Sequence, residues 1–230
     1  MAITPNDHIA IRARNVTLSL GHVQILKGVD LDIAQGASLG VLGASGSGKS
    51  SLMAVLSGLE RASGGSVSVA GVDFGSMGED ALAVARRGRI GIILQSFHLL
   101  PTMTAHENVA VPLELAGRAD AFDRAAAELE AVGLGHRLSH YPAQLSGGEQ
   151  QRVAIARAMA PDPAILFADE PTGNLDQATG ASIADLLFAR QRASGATLLL
   201  ITHDPALARR CDRIVEMRDG LIHAQQAAAA

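Results

Sequence analysis

The sequence lacks several features that characterise common protein classes. It contains no Trp, one Tyr and five Phe, too few aromatic rings to stack the bases of a single-stranded nucleic acid. Its formal net charge of −4 gives no basic surplus, so we expect no nucleic acid among its partners. Its one cysteine, Cys211, cannot form an internal disulfide, which favours a reducing compartment.

Long apolar segments are also absent. The longest apolar runs, such as Ala196 to Ile201, fall far short of the roughly 20 residues that a membrane-spanning helix requires. The first 25 residues alternate polar and apolar types and contain no apolar core of a secretory signal. We therefore expect a cytosolic chain that does not itself span a membrane. Its 230 residues suffice for a buried core without disulfides or a structural metal.

The remaining pattern predicts strands and helices in alternation. Polar and apolar residues alternate over Ile9–Leu20 and Val29–Ile33, which predicts an antiparallel β flank. Later apolar runs are short and separated by helical segments, so they predict a mainly parallel, doubly wound sheet and the α/β class. These runs are Ala37–Leu42, Ile90–Leu94, Ala164–Ala168 and Thr197–Ile201, and Val67–Ala70 is predicted as a further short strand.

The middle of the chain differs, because its apolar residues recur with helical periodicity. Helices are predicted near Thr104–Leu115, Asp120–Val132 and Gly148–Met159, which indicates a helical lobe inserted into the α/β core. We therefore expect a single domain over residues 1–230. The final AQQAAAA offers nothing to bury. The expected parts are a core of 1–94 and 162–223, a helical lobe of 95–161 and a frayed tail of 224–230.

A glycine-rich loop lies between a predicted strand and a predicted helix. It matches G-x-x-x-x-G-K-[ST], a pattern that cradles phosphates with inward-pointing backbone N–H groups. Lys49 is expected to reach the β- and γ-phosphates, Ser50 to ligate Mg²⁺ and Ser51 to bind an α-phosphate oxygen. The expected nucleotide-binding residues are Gly43, Ala44, Ser45, Gly46, Ser47, Gly48, Lys49, Ser50 and Ser51.

Two further polar segments follow predicted strands. The run that begins at Ile165 ends in Asp169 and Glu170, at the sheet edge where open α/β sheets bind ligands. We expect Asp169 to hold Mg²⁺ through water and Glu170 to orient or deprotonate the attacking water. His203 follows the last of these strands and is a candidate contact to the γ-phosphate, with a structural role as the alternative.

A second anion site is predicted in the helical lobe. Ser146 suits the N-cap of a helix, and Glu149 suits its first turn. Gly147 and Gly148 allow a phosphate to approach bare N–H groups. One nucleoside triphosphate needs only one phosphate loop, so this site suggests the nucleotide of another copy. An ordinary capped helix is the alternative, and it leaves the two glycines unexplained.

Taken in order, these motifs resemble those of the ATP-binding subunits of ABC transporters, over essentially the whole chain. In that family, Gly43 to Ser50 correspond to the Walker A loop, Ile165 to Asp169 to Walker B and Glu170 to the catalytic carboxylate. The signature motif corresponds to Ser146–Gln150. The resemblance also identifies Gln95 as the Q-loop glutamine, Asn174-Leu175-Asp176 as the D-loop and His203 as the switch histidine.

The resemblance implies an ABC ATPase fold: a P-loop NTPase core with a mainly parallel sheet, an antiparallel β flank and an inserted helical lobe. It implies catalytic roles for Glu170, His203, Lys49 and Gln95, with Gln95 also a Mg²⁺ ligand, and a nucleotide contact for Asp176. Two copies are expected to sandwich two ATP molecules head to tail. The helical lobe is expected to dock on an integral membrane permease, at the cytoplasmic face of the inner membrane.

The branch is suggested by longer segments. Leu94–Pro101, Glu107-Asn108-Val109 and Ala168–Asp176 are similar to the lipoprotein-release, macrolide-export and FtsE-like ATPases, most of all to YbbA-type subunits. This implies export, or mechanical work in the periplasm, on lipoproteins, lipids or small molecules. The alternative is an FtsE-like signalling module that acts on a membrane-bound cell-wall enzyme. A soluble ATPase of nucleic-acid biology fits poorly, because net charge gives it no electrostatic help.

The chain departs from the family pattern at the adenine. The family usually places an aromatic ring against the base where this sequence has Leu20. An aromatic contact of this kind contributes about 0.5–1.5 kcal/mol, so we expect ATP to bind roughly threefold to tenfold more weakly. Discrimination between ATP and GTP is expected to be poor.

Overall fold

The computed structural model describes residues 9–227. Their contacts divide into two compact units. The first unit comprises the described residues up to Arg86 and from Ala196 onward, and the second comprises Arg87–Gly195. The core of 1–94 and 162–223 and the helical lobe of 95–161 that the sequence predicts remain predictions.

The described residues form ten strands and seven α-helices. The strands are β1 (Ile9–Leu20), β2 (Val23–Ala34), β3 (Ser38–Leu42), β4 (Gly64–Val69), β5 (Val72–Asp73), β6 (Ile90–Ile93), β7 (Ile165–Asp169), β8 (Thr197–Ile201), β9 (Arg213–Arg218) and β10 (Leu221–Ala227). The helices are α1 (Lys49–Leu56), α2 (Glu79–Arg86), α3 (Ala105–Leu115), α4 (Ala121–Ala131), α5 (Gly147–Met159), α6 (Gln177–Ser194) and α7 (Pro205–Ala208). Two short 3-10 turns cover Gly135–Arg137 and Pro142–Gln144.

An antiparallel sheet forms one part of the first unit. Its strand order is β2-β1-β4-β5, and β1 pairs with both β2 and β4 in antiparallel register. Buried residues of β1 include Ile11, Ala13, Val16 and Leu18, as expected for a strand with one face in the core. The predicted antiparallel flank is confirmed.

Parallel strands form the other part of the first unit. β3 lies between β8 and β9 and pairs with both in parallel register. Ser38–Val41 and all of β8 are buried, which explains why these strands appear in the sequence as unbroken apolar runs. The loop that follows β3 therefore begins at a buried strand that is hydrogen-bonded on both sides.

The second unit combines one parallel strand pair with helices. β6 and β7 pair in parallel register, and α3, α4, α5 and α6 account for its helical content. Gly91 of β6 packs closely on α5, since a Cβ atom there would lie 2.4 Å from the Ala158 carbonyl oxygen. Within residues 9–227, no helix combines the length and apolarity needed to cross a bilayer.

The end of the chain corrects the sequence analysis. Residues 213–218 and 221–227 were not expected to be strands, yet β9 and β10 form an antiparallel pair. The tail predicted to fray from residue 224 instead continues β10 as far as Ala227, because backbone pairing with β9 requires no side chain to bury. Residues 228–230 of that predicted tail lie outside the described residues.

A buried asparagine fixes the segment that leads into α3. Asn108 is fully buried, and its Oδ1 accepts from the Leu100 N–H at 2.8 Å. Its Nδ2 lies 3.1, 3.0 and 2.9 Å from the carbonyl oxygens of Leu100, Met103 and Thr104. One side chain therefore replaces the regular backbone bonds that this irregular segment lacks.

Replacing Asn108 with Ala should destabilise this segment. The change removes the acceptor of the Leu100 N–H and the amide donor to the Met103 carbonyl and leaves a cavity at a fully buried position, so we expect the free energy of unfolding to fall by about 2–4 kcal/mol. Chemical denaturation followed by circular dichroism measures the change. Glu114→Ala, at an exposed position of the same helix, is the control and should stay within about 0.5 kcal/mol. Equal losses in the two variants would refute the assignment.

Candidate functional site

The loop between β3 and α1 leaves a helix start open to an anion. α1 begins at Lys49, with Gly48 as its N-cap at φ 100°, and no side chain caps it. Its first turn contains no acidic residue. The N–H groups of the first turn therefore remain available to a phosphate, and the helix dipole adds about half a positive charge there.

Gly43 allows the backbone to pass very close to β9. A Cβ atom at this position would lie 2.3 Å from the Met217 carbonyl oxygen and 2.7 Å from Ser47 Oγ. The other end of the loop is fixed to the turn after β9, because the Gly220 N–H donates to the Ser47 carbonyl at 3.0 Å. The loop is therefore held in shape by the first unit itself.

Lys49 is buried within this loop. It is 8% exposed, and its Nζ donates to the carbonyl oxygens of Gly43 and Ala44, both at 2.8 Å. An ammonium group has three N–H donors, so one remains for a phosphate oxygen. Ser50 follows in the first turn and is exposed, which leaves its hydroxyl accessible to a ligand.

His203 lies beside the phosphate loop. A cavity of about 450 Å³ is lined by Leu42, Gly43, Ala44, His203, Pro205, Ile214 and Glu216. The segment that carries His203 is ordered by short-range bonds: the Asp204 N–H donates to Thr202 Oγ1 at 3.0 Å, and Asp204 caps α7 by accepting from the Ala206 N–H at 2.7 Å. The structure therefore brings the histidine and the loop to one cavity.

The second unit brings another three predicted residues together. Gln95 Nε2 donates to Asn174 Oδ1 at 3.3 Å, and Asn174 Nδ2 donates to the Gln95 carbonyl at 3.0 Å. A Cβ atom on Gly173 would lie 3.0 Å from Gln95 Nε2 and 3.4 Å from the Glu170 Cβ. Glu170 directly follows Asp169, the last residue of β7, and has a positive φ of 46°.

The signature segment forms the predicted cap of α5. The Ser146 Oγ accepts from the Glu149 N–H at 3.3 Å, while the Ser146 N–H and Oγ donate to Glu149 Oε2 at 2.8 and 2.9 Å. These bonds, followed by the positive charge of Arg137, hold the pKa of the Glu149 carboxyl below its usual value. Ser146 itself is exposed.

The two glycines of this segment have a packing role that sequence reasoning missed. A Cβ atom on Gly148 would lie 2.6 Å from Thr179 Cγ2, and one on Gly147 would lie 3.3 Å from Leu175 Cδ2. The start of α5 therefore packs against the D-loop and α6, and at Gly148 the distance to Thr179 leaves no room for a side chain. Approach of a phosphate is not required to explain them.

Two more predicted residues have clear local positions. Asp176 is the N-cap of α6 and accepts from the Thr179 N–H at 3.0 Å. Hydrogen bonds from the Thr179 side chain and then from its N–H lower the pKa of the Asp176 carboxyl. Leu20 ends β1 opposite Val23, and it is 52% exposed. An exposed apolar side chain at this place is available to a planar ligand, and its contact with adenine stays a prediction.

Comparison with known proteins decides the family. The sequence pattern described as "ABC transporter" matches residues 26–173. The chain belongs to the ABC transporter family. The matched region includes the phosphate loop and β7, together with the signature segment.

Three relatives illustrate the branch of the ABC transporter family. The ATP-binding protein YbbA of Escherichia coli K12 is 52% identical over 200 residues, which cover 86% of this chain and 88% of that one. The lipoprotein-releasing system protein LolD 2 of Caulobacter vibrioides is 49% identical, with 90% and 91% covered. The macrolide export ATP-binding/permease protein MacB 1 of Aeromonas hydrophila is 47% identical over 89% of this chain and 32% of its own.

Solved ABC structures share the fold. The dimeric ATP-binding cassette MJ0796 in a post-hydrolysis state with ADP and Pi has a TM-score of 0.87 and 36% identity, over 96% of this chain and 99% of that one. A second dimeric MJ0796 structure has a TM-score of 0.87 and 37% sequence identity. The predicted family, the ABC ATPase fold and the class of ATP-hydrolysing transporter subunit are confirmed. The names of the relatives favour transport over the signalling alternative.

Gly43→Ala tests the loop geometry. The added methyl group would overlap the Met217 carbonyl, so we expect the loop to shift and ATP affinity to fall on the order of tenfold or more. Isothermal titration calorimetry measures this. Gly78→Ala, at a glycine outside the loop where an added methyl group meets no atom within 4 Å, is the matched control and should bind ATP normally. Unchanged binding by Gly43→Ala would show that the close approach is unimportant.

Proposed function

We propose that this ABC transporter subunit binds Mg-ATP at the phosphate loop, closes as a head-to-tail homodimer around two nucleotides and hydrolyses them to drive a separate membrane permease. The observation that carries the proposal is the loop: a helix start without a side-chain cap, beside a buried Lys49. Both features favour a multiply charged anion over any neutral ligand.

The triphosphate is bound by residues 43–51. Backbone N–H groups of the loop and of the first turn of α1 donate to phosphate oxygens, and the remaining N–H of Lys49 reaches the β- and γ-phosphates. Ser51 donates to an α-phosphate oxygen. Leu20 contacts the adenine through a small apolar surface, which limits discrimination between bases.

The donors proposed for Mg²⁺ suit that ion, because all are hard oxygen atoms. They are the Ser50 hydroxyl, the Gln95 amide oxygen and, through water, the Asp169 carboxylate. Gln95 directs its amide nitrogen to Asn174, which leaves the amide oxygen for the cation. When bound, Mg²⁺ balances the negative charge that builds on the phosphates.

Glu170 is the proposed base for the attacking water. It follows β7 directly, and Gly173 lies against both its backbone and the Gln95 amide. A carboxylate at the end of β7 is suited to order one water molecule and take its proton. His203, at the cavity beside Gly43, stabilises the γ-phosphate as it leaves.

Dimerisation completes each site in this proposal. Ser146, Gly147, Gly148 and Glu149 of one copy face the nucleotide held by the loop of the other, and Asp176 lies at the same boundary. The dimeric form of the solved MJ0796 cassettes supports this assembly. An isolated copy is then nearly inactive, because part of the hydrogen bonding that stabilises charge on the γ-phosphate comes from the signature helix of its partner.

A membrane permease is the second proposed partner. The MacB 1 relative is named as ATP-binding protein and permease, and this chain aligns with 32% of it. We propose that the helical lobe after Gln95 docks on such a permease, which places the subunit at the cytoplasmic face of the inner membrane. The names of LolD 2 and MacB 1 support export or periplasmic mechanical work on lipoproteins, lipids or small molecules.

Glu170→Gln tests the catalytic assignment. The amide keeps the shape of the side chain but cannot take a proton, so ATP binding should persist while turnover falls by roughly 100-fold or more. The variant should accumulate as an ATP-loaded dimer in size-exclusion chromatography. Glu130→Gln, an exposed carboxylate on α4, should behave as wild type. Finding only monomer for Glu170→Gln in millimolar ATP would contradict the mechanism.

Leu20→Tyr tests the adenine contact. Restoring an aromatic ring should tighten ATP binding by roughly threefold to tenfold and increase the preference for ATP over GTP. Competition titrations with both nucleotides measure the two effects. Val84→Tyr, which places the same ring at an exposed position on α2, is the control. Equal affinities in all three proteins would remove Leu20 from the site.

A further inference from the structure

Ser146 of the signature motif is connected by hydrogen bonds between side chains to Arg137 and His140, which lie outside that motif. Arg137, in the 3-10 turn before the signature segment, donates from Nε to Glu149 Oε1 at 3.1 Å. Its Nη1 lies 2.9 Å from His140 Nε2. Glu149 in turn holds the N–H and the hydroxyl of Ser146 through its other oxygen. The four side chains form a continuous path to Ser146.

The guanidinium of Arg137 determines which groups donate and which accept along this path. A guanidinium has donors only, so His140 must accept at Nε2 and carry its ring proton at Nδ1. The backbone holds His140 in place, because its N–H donates to the Arg137 carbonyl at 3.0 Å and its own carbonyl accepts from the Ala105 N–H at 2.8 Å. His140 Nδ1 is buried and has no hydrogen-bond partner among the described residues. The ring is therefore kept as an acceptor for Arg137 although its second nitrogen goes unsatisfied.

Arg137 acts on the oxygen of Glu149 that does not bind Ser146. The cation fixes the rotation of the carboxylate and draws its negative charge toward Oε1. Oε2 then holds the Ser146 hydroxyl less tightly and presents less negative charge to an approaching triphosphate. Without Arg137, the Ser146 hydroxyl would stay hydrogen-bonded to the carboxylate, and the charge of that carboxylate would repel the γ-phosphate.

The body of α5 is anchored without this path. Gln151 donates to the Pro171 carbonyl at 2.8 Å, and Arg152 donates to the Val132 carbonyl at 3.1 Å and to Ser182 Oγ at 3.0 Å. Val153 and Ile155 are fully buried. The helix therefore has its own tertiary support. Arg137 bonds to it at Glu149, in its first turn.

We propose that Arg137, oriented by His140, is a positioning residue that prepares the hydroxyl of Ser146 to bind the γ-phosphate held by the partner copy. This inference rests on the proposed head-to-tail dimer. It assigns Arg137 no role in the affinity of a single copy for nucleotide, because neither Arg137 nor Glu149 is among the residues proposed to hold the nucleotide of their own copy.

The test measures two quantities in the Glu170→Gln background: the ADP affinity of the dilute protein, and the ATP concentration at half-maximal dimerisation in sedimentation experiments. Arg137→Ala should raise the ATP concentration at half-maximal dimerisation by roughly tenfold, since both sites of a symmetric dimer lose the contact. The ADP affinity should stay within about twofold. Arg137→Lys should recover part of the loss, because its ammonium can still face Glu149.

Arg124→Ala is the matched control. Arg124 makes ion pairs of similar geometry in the same unit, with Glu128 at 2.9 Å and Asp162 at 2.6 Å, and does not touch the signature segment. Its loss should leave the dimerisation midpoint unchanged. A rise equal to that of Arg137→Ala would overturn the proposal, because any lost ion pair would then suffice.

Substitutions of His140 keep the proposal testable if Arg137→Ala fails to fold. His140→Gln retains an acceptor for Arg137, whereas His140→Leu removes it, so the Leu variant should require more ATP to dimerise. Identical midpoints for the two would overturn the orienting role. Ser146→Ala separates the two hypotheses: a raised midpoint for Ser146→Ala with a normal one for Arg137→Ala rejects this inference alone, and normal midpoints for both reject the proposed dimer.

Discussion

The uncapped first turn of α1 is the constraint on which the site depends. α3, α5, α6 and α7 begin with side-chain caps supplied by Thr104, Ser146, Asp176 and Asp204. α1 begins at a glycine in the left-handed conformation with no such cap, and the loop before it is fixed by contacts with β9 and the turn that follows it. An anion can satisfy these donors without any rearrangement of the core.

The second unit uses a different device, which is mutual packing of its functional loops. Glu170 adopts a positive φ that costs about 1–3 kcal/mol in a residue other than glycine. Gly173 packs against Glu170, and the Asn174 side chain accepts from Gln95 Nε2 and donates to the Gln95 backbone carbonyl. At the start of α5, Gly148 packs against Thr179 of α6. A shift in any one of these loops would therefore displace the residues that it contacts in the others.

Much of the architecture follows from elementary patterns in the sequence. Alternation marked β1 and β2, unbroken apolar runs marked the buried parallel strands, and helical periodicity marked α3, α4 and α5. β9 and β10 escaped this reasoning, because their polar and charged residues give no apolar run and their pairing is a backbone interaction. The positions of Leu20 and Asp176 in a nucleotide complex remain predictions.

The sequence by itself determined the chemistry: a glycine-rich loop ending in Lys49 and Ser50 has few uses other than holding phosphate, whatever surrounds it. Only the tertiary structure revealed which side chains control one another. Arg137 and Glu149 are joined by a turn whose shape no local pattern predicts, and Gly148 is required by Thr179, far along the chain. Local propensity is encoded by neighbours in sequence, whereas close packing and side-chain hydrogen bonds depend on residues that meet only after folding.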